Sequence, residues 1–266
     1  MTALSTPTQP QRPVRVTMPT DVDIKTISLG IACPMANEGE EAVRFVRTLL
    51  SHCESFPFRE LRFFAVIDKA STDNTRQLLD ECAAGEPRLT VVWAPENRCV
   101  VDAYIRGYQA ALDNGCDWIL EIDAGFSHNP AEAPRLLEQM ATGKYDCVFG
   151  SRFSQGGGIS DSSFKRYLVS SGGSLLSNLL LGTRMADMTS GFELFSRETM
   201  QAILKRGIRS RAHFFQTEIK VFCRNRRYLE VPITYRMASP RLSNKAIVEA
   251  LRQLTSMFVQ RMTGRL

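Results

Sequence analysis

Short apolar runs alternate with amphipathic stretches from Ile27 to Phe149. Ile27 to Cys33, Leu61 to Ile67, Leu89 to Trp93, Trp118 to Ile122 and Tyr145 to Phe149 are strand-length and bounded by turn formers. Between them, Val43, Phe45, Val46, Leu49 and Leu50 recur at helical spacing. Further helices are predicted after Asp73, over Asn97 to Leu112 and over Ala131 to Met140. Strand and helix alternating in this way predict an α/β fold: a single Rossmann-like domain over 25–266, with a mostly parallel central sheet flanked by helices. Beyond 150 the pattern loosens. Gly156-Gly157-Gly158 marks a loop, and helices are predicted at Phe164 to Leu181, His213 to Arg224 and Ser243 to Met262, with a strand at Tyr228 to Tyr235. Residues 1–24 are rich in Thr, Pro and Ser, lack periodicity, and are expected to form a flexible arm.

Composition adds limits. The 266 residues are 44% hydrophobic and 23% charged, as in ordinary globular proteins. No apolar run approaches the ~20 residues that span a bilayer, and the amino terminus lacks the apolar core of a secretory signal. Seven cysteines are scattered without metal-ligand spacing, which reads as reduced thiols in a cytoplasmic protein without a zinc site. The net charge of +5 is unevenly placed: residues 201–266 hold 14 Lys and Arg against Glu218, Glu230 and Glu249. Such a basic third fits an anionic partner, whether phosphate or the cytoplasmic face of a membrane, or else a solvated face. The basic residues lack interleaved aromatic platforms, which argues against a nucleic-acid partner.

Three strands stop on polar or acidic clusters, at Asn37-Glu38, Asp68 and Asp123. In a parallel sheet these share the carboxyl edge, where open α/β folds bind ligands. One capping acid is unremarkable, but three on successive elements point to a pocket for a metal–phosphate ligand or for a ribose and base. The sequence lacks GxGxxG after the first strand, GxxxxGK[ST], and GxSxG, which excludes a dinucleotide fingerprint, a P-loop and a hydrolase elbow.

The blocks around these acids resemble family 2 glycosyltransferases, and within them the dolichol- and polyprenyl-phosphate mannosyltransferase branch. Pro34-Met35-Ala36-Asn37-Glu38 resembles P-x-x-N-E, and Asp68-Lys69-Ala70-Ser71-Thr72-Asp73 resembles D-D-G-S-x-D. Asp123-Ala124-Gly125-Phe126-Ser127-His128-Asn129-Pro130 resembles D-A-D-x-S-H-x-P. Gly150-Ser151-Arg152, Thr189-Ser190-Gly191-Phe192 and Glu230-Val231-Pro232-Ile233 match further blocks. The resemblance implies a GT-A fold and inverting transfer of a hexose, mannose from GDP-mannose by analogy or a sugar from a UDP-sugar. It implies donor binding at Pro34, Asn37, Glu38, Asp68, Asp123 and Ala124, with Arg241 and Lys245 adding positive charge. It further implies Mg²⁺ or Mn²⁺ at Asp123 and an acceptor phosphate at Arg152, Arg166 and Ser170.

Several positions depart from the family pattern. Gly125 replaces the second acid of D-x-D, Lys69 the second of D-D-G-S, and Glu193 the usual arginine after T-S-G-F. Catalytic candidates are Asp123, Arg152, Asp187 and Glu218. A lipid phosphate is already anionic and needs positioning rather than a base. A hydroxyl acceptor needs a carboxylate base, for which Asp187, Glu193 and Glu218 are candidates. Glu121, two residues before Asp123, is expected to support it or the metal, whereas His128 in a turn reads first as structural. Three functions therefore stay open: transfer to a polyprenyl or dolichyl phosphate, transfer to a hydroxyl, and a non-catalytic nucleotide-sugar-binding subunit. The last helix, with Ile247, Val248, Leu251, Leu254, Met257 and Phe258 on one stripe, suits core packing or contact with a membrane or membrane subunit.

Overall fold

The computed structural model describes residues 22–160, 164–236 and 244–266, without the side chains of 164–169 and 244–246. Nine strands and eight α-helices follow one another among them. The strands are β1 (Ser28–Pro34), β2 (Glu60–Ile67), β3 (Leu89–Trp93), β4 (Trp118–Glu121), β5 (Cys147–Ser151), β6 (Gly158–Ser160), β7 (Glu193–Ser196), β8 (Tyr228–Pro232) and β9 (Thr234–Arg236). The helices are α1 (Glu40–Cys53), α2 (Thr75–Gly85), α3 (Val100–Asp113), α4 (Ala133–Ala141), α5 (Phe164–Leu181), α6 (Arg197–Arg206), α7 (Phe215–Phe222) and α8 (Asn244–Met262). Of the arm expected over 1–24, residues 1–21 lie outside the described residues. Its end belongs to the fold: Asp23 caps a 3₁₀ turn, Ile24–Thr26, and Ile24 is buried.

Seven strands form one sheet in the order β3-β2-β1-β4-β7-β5-β8, and β6 pairs with β9 in a second, two-stranded sheet. Every pair in the large sheet is parallel except those made by β7, which runs against β4 and β5. Alternating side chains point to opposite faces. Ile31 and Phe63 join a core with Phe45 and Leu49 of α1 and Leu136 of α4, while Ala32 and Phe64 join one with Tyr108 of α3, Met200 of α6 and Ile219 of α7. Helices therefore cover both faces, as the alternation predicts. The run at 228–235 proves to be two strands, because Pro232 ends β8 and Ile233 passes between the sheets.

Candidate active site

Parallel pairing of β1 with β2 and β4 brings Asn37-Glu38, Asp68 and Asp123 to one edge, as their strand-end positions predict. The first two clusters are knit together. Asn37, at φ +59°, donates its amide to the Ala70 carbonyl (3.0 Å) and accepts from the Thr72 N–H (2.9 Å). Asp68 accepts from the Ala70 N–H (2.8 Å) and from Asn97 Nδ2 (3.3 Å), which anchors the end of β3 to the same loop. Asp73 accepts from the N–H groups of Gly39 and Thr75 (both 3.1 Å) and so ties the β1–α1 loop to the first residue of α2. Asn37 is thus a strut between two loops, Pro34 ends β1, and Ala124 packs against the core beneath them.

Asp123 stands just past β4. Its side chain is 41% exposed, deep in the cleft but open at the mouth. The Tyr104 hydroxyl of α3 donates to Oδ1, and His128 Nδ1 lies 3.7 Å from Oδ2. Loss of hydration deep in the cleft pushes its carboxyl up to about 7, with Arg152 opposing the rise and Glu38 adding to it. Gly191 lets the surroundings close in: a Cβ there would lie 2.7 Å from Gln216 Nε2 and 3.6 Å from Asp123 Oδ2.

Below this edge lies a buried ionic layer. Arg152 grips Asp187 through Nε–H to Oδ2 (2.7 Å), Nη2–H to Oδ1 (2.8 Å) and its backbone N–H to Oδ2 (3.0 Å). Arg152 also donates to the Thr189 hydroxyl. Asp187 is fully buried, and the Arg152 bonds outweigh burial to hold its carboxyl well below the usual range. Glu230 accepts from the N–H groups of Ala186 (2.7 Å) and Asp187 (2.9 Å), so the E-V-P-I block serves to fix this turn. One face of α7 supports the next turn: Thr217 donates to the Met188 carbonyl (2.9 Å) and Lys220 Nζ to the Ser190 carbonyl (2.9 Å).

Glu193 and Glu121 face each other across β7 and β4, both fully buried. Lys220 Nζ approaches Glu193 Oε1 to 2.7 Å as an ion pair, without the alignment of a hydrogen bond. Tyr108 and Gln216 donate to Glu121. Burial pushes both carboxyls up, and since Lys220 lies against Glu193, Glu121 is the member that keeps a proton.

Several expectations need correction. Glu218 is buried and accepts from the backbone N–H groups of Arg209 (3.0 Å) and Ser210 (2.9 Å), so it pins a loop and cannot act as a base. Asp187 and Glu193 are sealed likewise, and Arg152 commits Nε and Nη2 to Asp187 and Thr189. Glu121 supports Gln216 and Tyr108, not Asp123. His128 packs between Phe192 and Tyr235, and burial lowers its pKa to about 3, which leaves it neutral. Ser170 is half-buried on α5, whereas the side chains of Arg166 and Lys245, and Arg241 altogether, lie outside the described residues. Tyr104, Gln216 and Lys220 went unmarked in the sequence because helical spacing alone gives them no more than a core position.

A parallel sheet with an acidic carboxyl edge, β7 reversed beside β4, and the second, small sheet define a GT-A fold. The structure of Mycobacterium tuberculosis glucosyl-3-phosphoglycerate synthase with Mn²⁺, UDP-glucose and phosphoglyceric acid shares this fold at TM-score 0.61 and 17% identity, over 88% of this chain and 79% of that one. The model for glycosyl transferase family 2 matches residues 31–204. Undecaprenyl-phosphate mannosyltransferase of Micrococcus luteus is 33% identical over 195 residues, 71% of this chain and 79% of that protein. Polyprenol monophosphomannose synthase of Mycolicibacterium smegmatis is 31% identical over 192 residues, 70% of this chain and 72% of that one. The chain belongs to glycosyl transferase family 2, and it is a hexosyltransferase.

The Mycobacterium tuberculosis structure contains Mn²⁺, and the family resemblance implies Mg²⁺ or Mn²⁺ at Asp123 here. Among the described residues no three His, Cys, Asp or Glu side chains converge. Mg²⁺ and Mn²⁺ nevertheless need only one or two carboxylates beside substrate phosphates and water. The open Asp123 carboxylate satisfies that, so the residues present fit the ion.

Proposed function

We propose that the protein transfers a hexose from a nucleotide sugar, GDP-mannose by analogy with the curated relatives, to a polyprenyl phosphate. The observation that carries this reading is the burial of all three carboxylates available as a base for a hydroxyl acceptor. Asp187 and Glu193 are 0% exposed and Glu218 2%, each held by a cation or by backbone amides. A phosphate oxyanion attacks the anomeric carbon without losing a proton first, so a site in which these three carboxylates are sealed suits it. Asp123 would hold the Mg²⁺ or Mn²⁺ that neutralises charge on the departing diphosphate. Tyr104 fixes that carboxylate, and the Asn37, Asp68 and Asn97 network shapes the nucleoside end.

Surface chemistry supports a lipid acceptor. Ten large hydrophobic side chains are exposed among the described residues, and eight lie on α5 and α8, which pack against each other. Leu175, Leu176 and Leu179 line one helix; Ile247, Val248, Leu251, Val259 and Met262 line the other. Arg206, Arg224 and Arg261 gather near the end of α8, close enough that the other two lower the Arg224 pKa after burial does. Exposed leucines beside a cationic cluster fit the interface of an anionic membrane. No described helix is long and apolar enough to cross one. Ser170 lies on α5, the helix that carries the leucines. This reading also corrects the expected stripe on α8: Leu254 and Met257 are core, and Val248 and Leu251 point out.

The reading is tested with GDP-[¹⁴C]mannose, and UDP-[¹⁴C]glucose in parallel, on vesicles containing undecaprenyl phosphate. Radiolabel is expected in the organic phase, dependent on Mg²⁺ or Mn²⁺ and lost in Asp123→Ala. No labelled lipid from either donor under any metal condition would refute it.

A further inference from the structure

The place from which a second acid of the D-x-D turn would reach out is already taken by another carboxylate. A Cβ built at Gly125 would lie 3.1 Å from Glu38 Oε2 and 3.7 Å from Oε1, and φ there is +78°, which strains L residues. Glu38 comes from the opposite side, at the end of the β1–α1 loop. Its backbone is fixed, since the N–H groups of Glu38 (2.9 Å) and Gly39 (2.8 Å) both donate to Thr75 Oγ1. Among the described residues no Lys or Arg forms an ion pair with the Glu38 carboxylate. The Glu38 carboxylate thus sits against the Asp123-Ala124-Gly125 turn, two residues from Asp123.

A second observation marks the same spot. His128 Nδ1 is buried, has no hydrogen-bond partner, and faces Asp123 Oδ2 at 3.7 Å. Buried polar atoms are rarely left unmatched, because an unmade bond loses their solvation for nothing. An oxygen brought in beside Asp123, such as a metal-bound water or a diphosphate oxygen, would satisfy it.

We infer that Glu38 replaces the missing second acid: its carboxylate and that of Asp123 together hold the divalent cation of the donor diphosphate, with His128 Nδ1 facing an oxygen of that assembly. The inference rests on the nucleotide-sugar reading above and gives Glu38, which the family resemblance places at the donor but not at the metal, a share of the cation. Gly125 then follows from Glu38, since an acid at 125 would crowd and repel the carboxylate already present.

The test is Mn²⁺ titration of the full chain, followed by the EPR signal of free Mn²⁺, with saturating UDP or GDP. Nucleotide affinity is measured separately in EDTA. Glu38→Gln is expected to weaken Mn²⁺ binding on the order of tenfold, as Asp123→Asn does, with nucleotide affinity in EDTA and thermal unfolding unchanged. The exchange Glu38→Ala with Gly125→Asp is expected to recover Mn²⁺ binding, since Asp tolerates the left-handed region better than most residues. Mn²⁺ affinity unchanged in Glu38→Gln but lost in Asp123→Asn would overturn the inference and leave the donor reading intact. Nucleotide affinity lost equally in EDTA would put Glu38 on the base or ribose and overturn it too. If the parent protein bound neither nucleotide, with or without Mn²⁺, the donor reading itself would fall.

Discussion

Asp187 is the sharpest case in which the structure and the sequence-based expectation give different experiments. As a base, its loss would abolish turnover and leave the protein stable. As the buried partner of Arg152, its loss leaves a guanidinium, itself only 9% exposed, without its counter-charge and with three hydrogen bonds broken. Removing one member of such a pair costs about 3–5 kcal/mol. For a chain of this size each kcal/mol lowers Tm by about 2–4 °C, so Asp187→Ala should melt roughly 6–20 °C below the parent. Replacing both members by Arg152→Met with Asp187→Leu should recover most of that loss, because the desolvation penalty disappears with the charges. The sign in pH also follows. The Asp187 carboxyl is depressed in the folded state, so its contribution is complete above the ordinary aspartate pKa and fades as pH falls toward the native value. Calorimetric melts at pH 7 and pH 4 of the parent, the single and the double variant provide the assay. A single variant melting within 2 °C of the parent, to take about one-third of the smallest expected shift, would refute the structural role.

Three further outcomes are expected. Glu121 keeps a proton that the unfolded chain releases, so stability should be full below the ordinary glutamate pKa and fall as pH rises through about 8. Glu121→Gln should flatten that decline, which runs from the ordinary glutamate pKa up to about 8, in denaturant titrations, and an unaltered slope would show Glu121 ionised in the native state. Leu175→Glu with Leu179→Glu, at positions 72% and 74% exposed, should leave Tm unchanged but cut flotation with anionic vesicles several-fold; equal flotation would remove the helix pair as the docking face. Gly191→Ala should cost about 1–3 kcal/mol, because its Cβ would fall 2.7 Å from Gln216 Nε2, and a melt matching the parent would contradict the close packing described there.

The strands and helices up to 150 were legible because each obeys one period and ends at a turn former. β7 was not: four residues beginning with a glutamate give no alternation to read. Its antiparallel direction depends on where the chain re-enters the sheet, which no local pattern encodes. The acidic edge was legible for the same reason as the strands, since parallel pairing puts strand ends together. What the sequence could not rank was reach. Asp123 and Asp187 look alike as letters, yet one opens into a cleft and the other lies under Arg152. Glu193 looked like a replacement base and is instead the partner of Lys220, two turns of chain that meet only when α7 packs beneath the 188–191 segment.

The central claim is that the acceptor arrives already ionised, because Asp187, Glu193 and Glu218, the carboxylates in line to ionise it, are sealed. It is tested most directly by offering labelled donor to undecaprenyl phosphate and to undecaprenol, the free alcohol of the same chain, in otherwise identical vesicles. Label in the phosphate lipid alone is the predicted result. Label in the alcohol at a comparable rate would mean that the site does remove a proton, and would contradict the account.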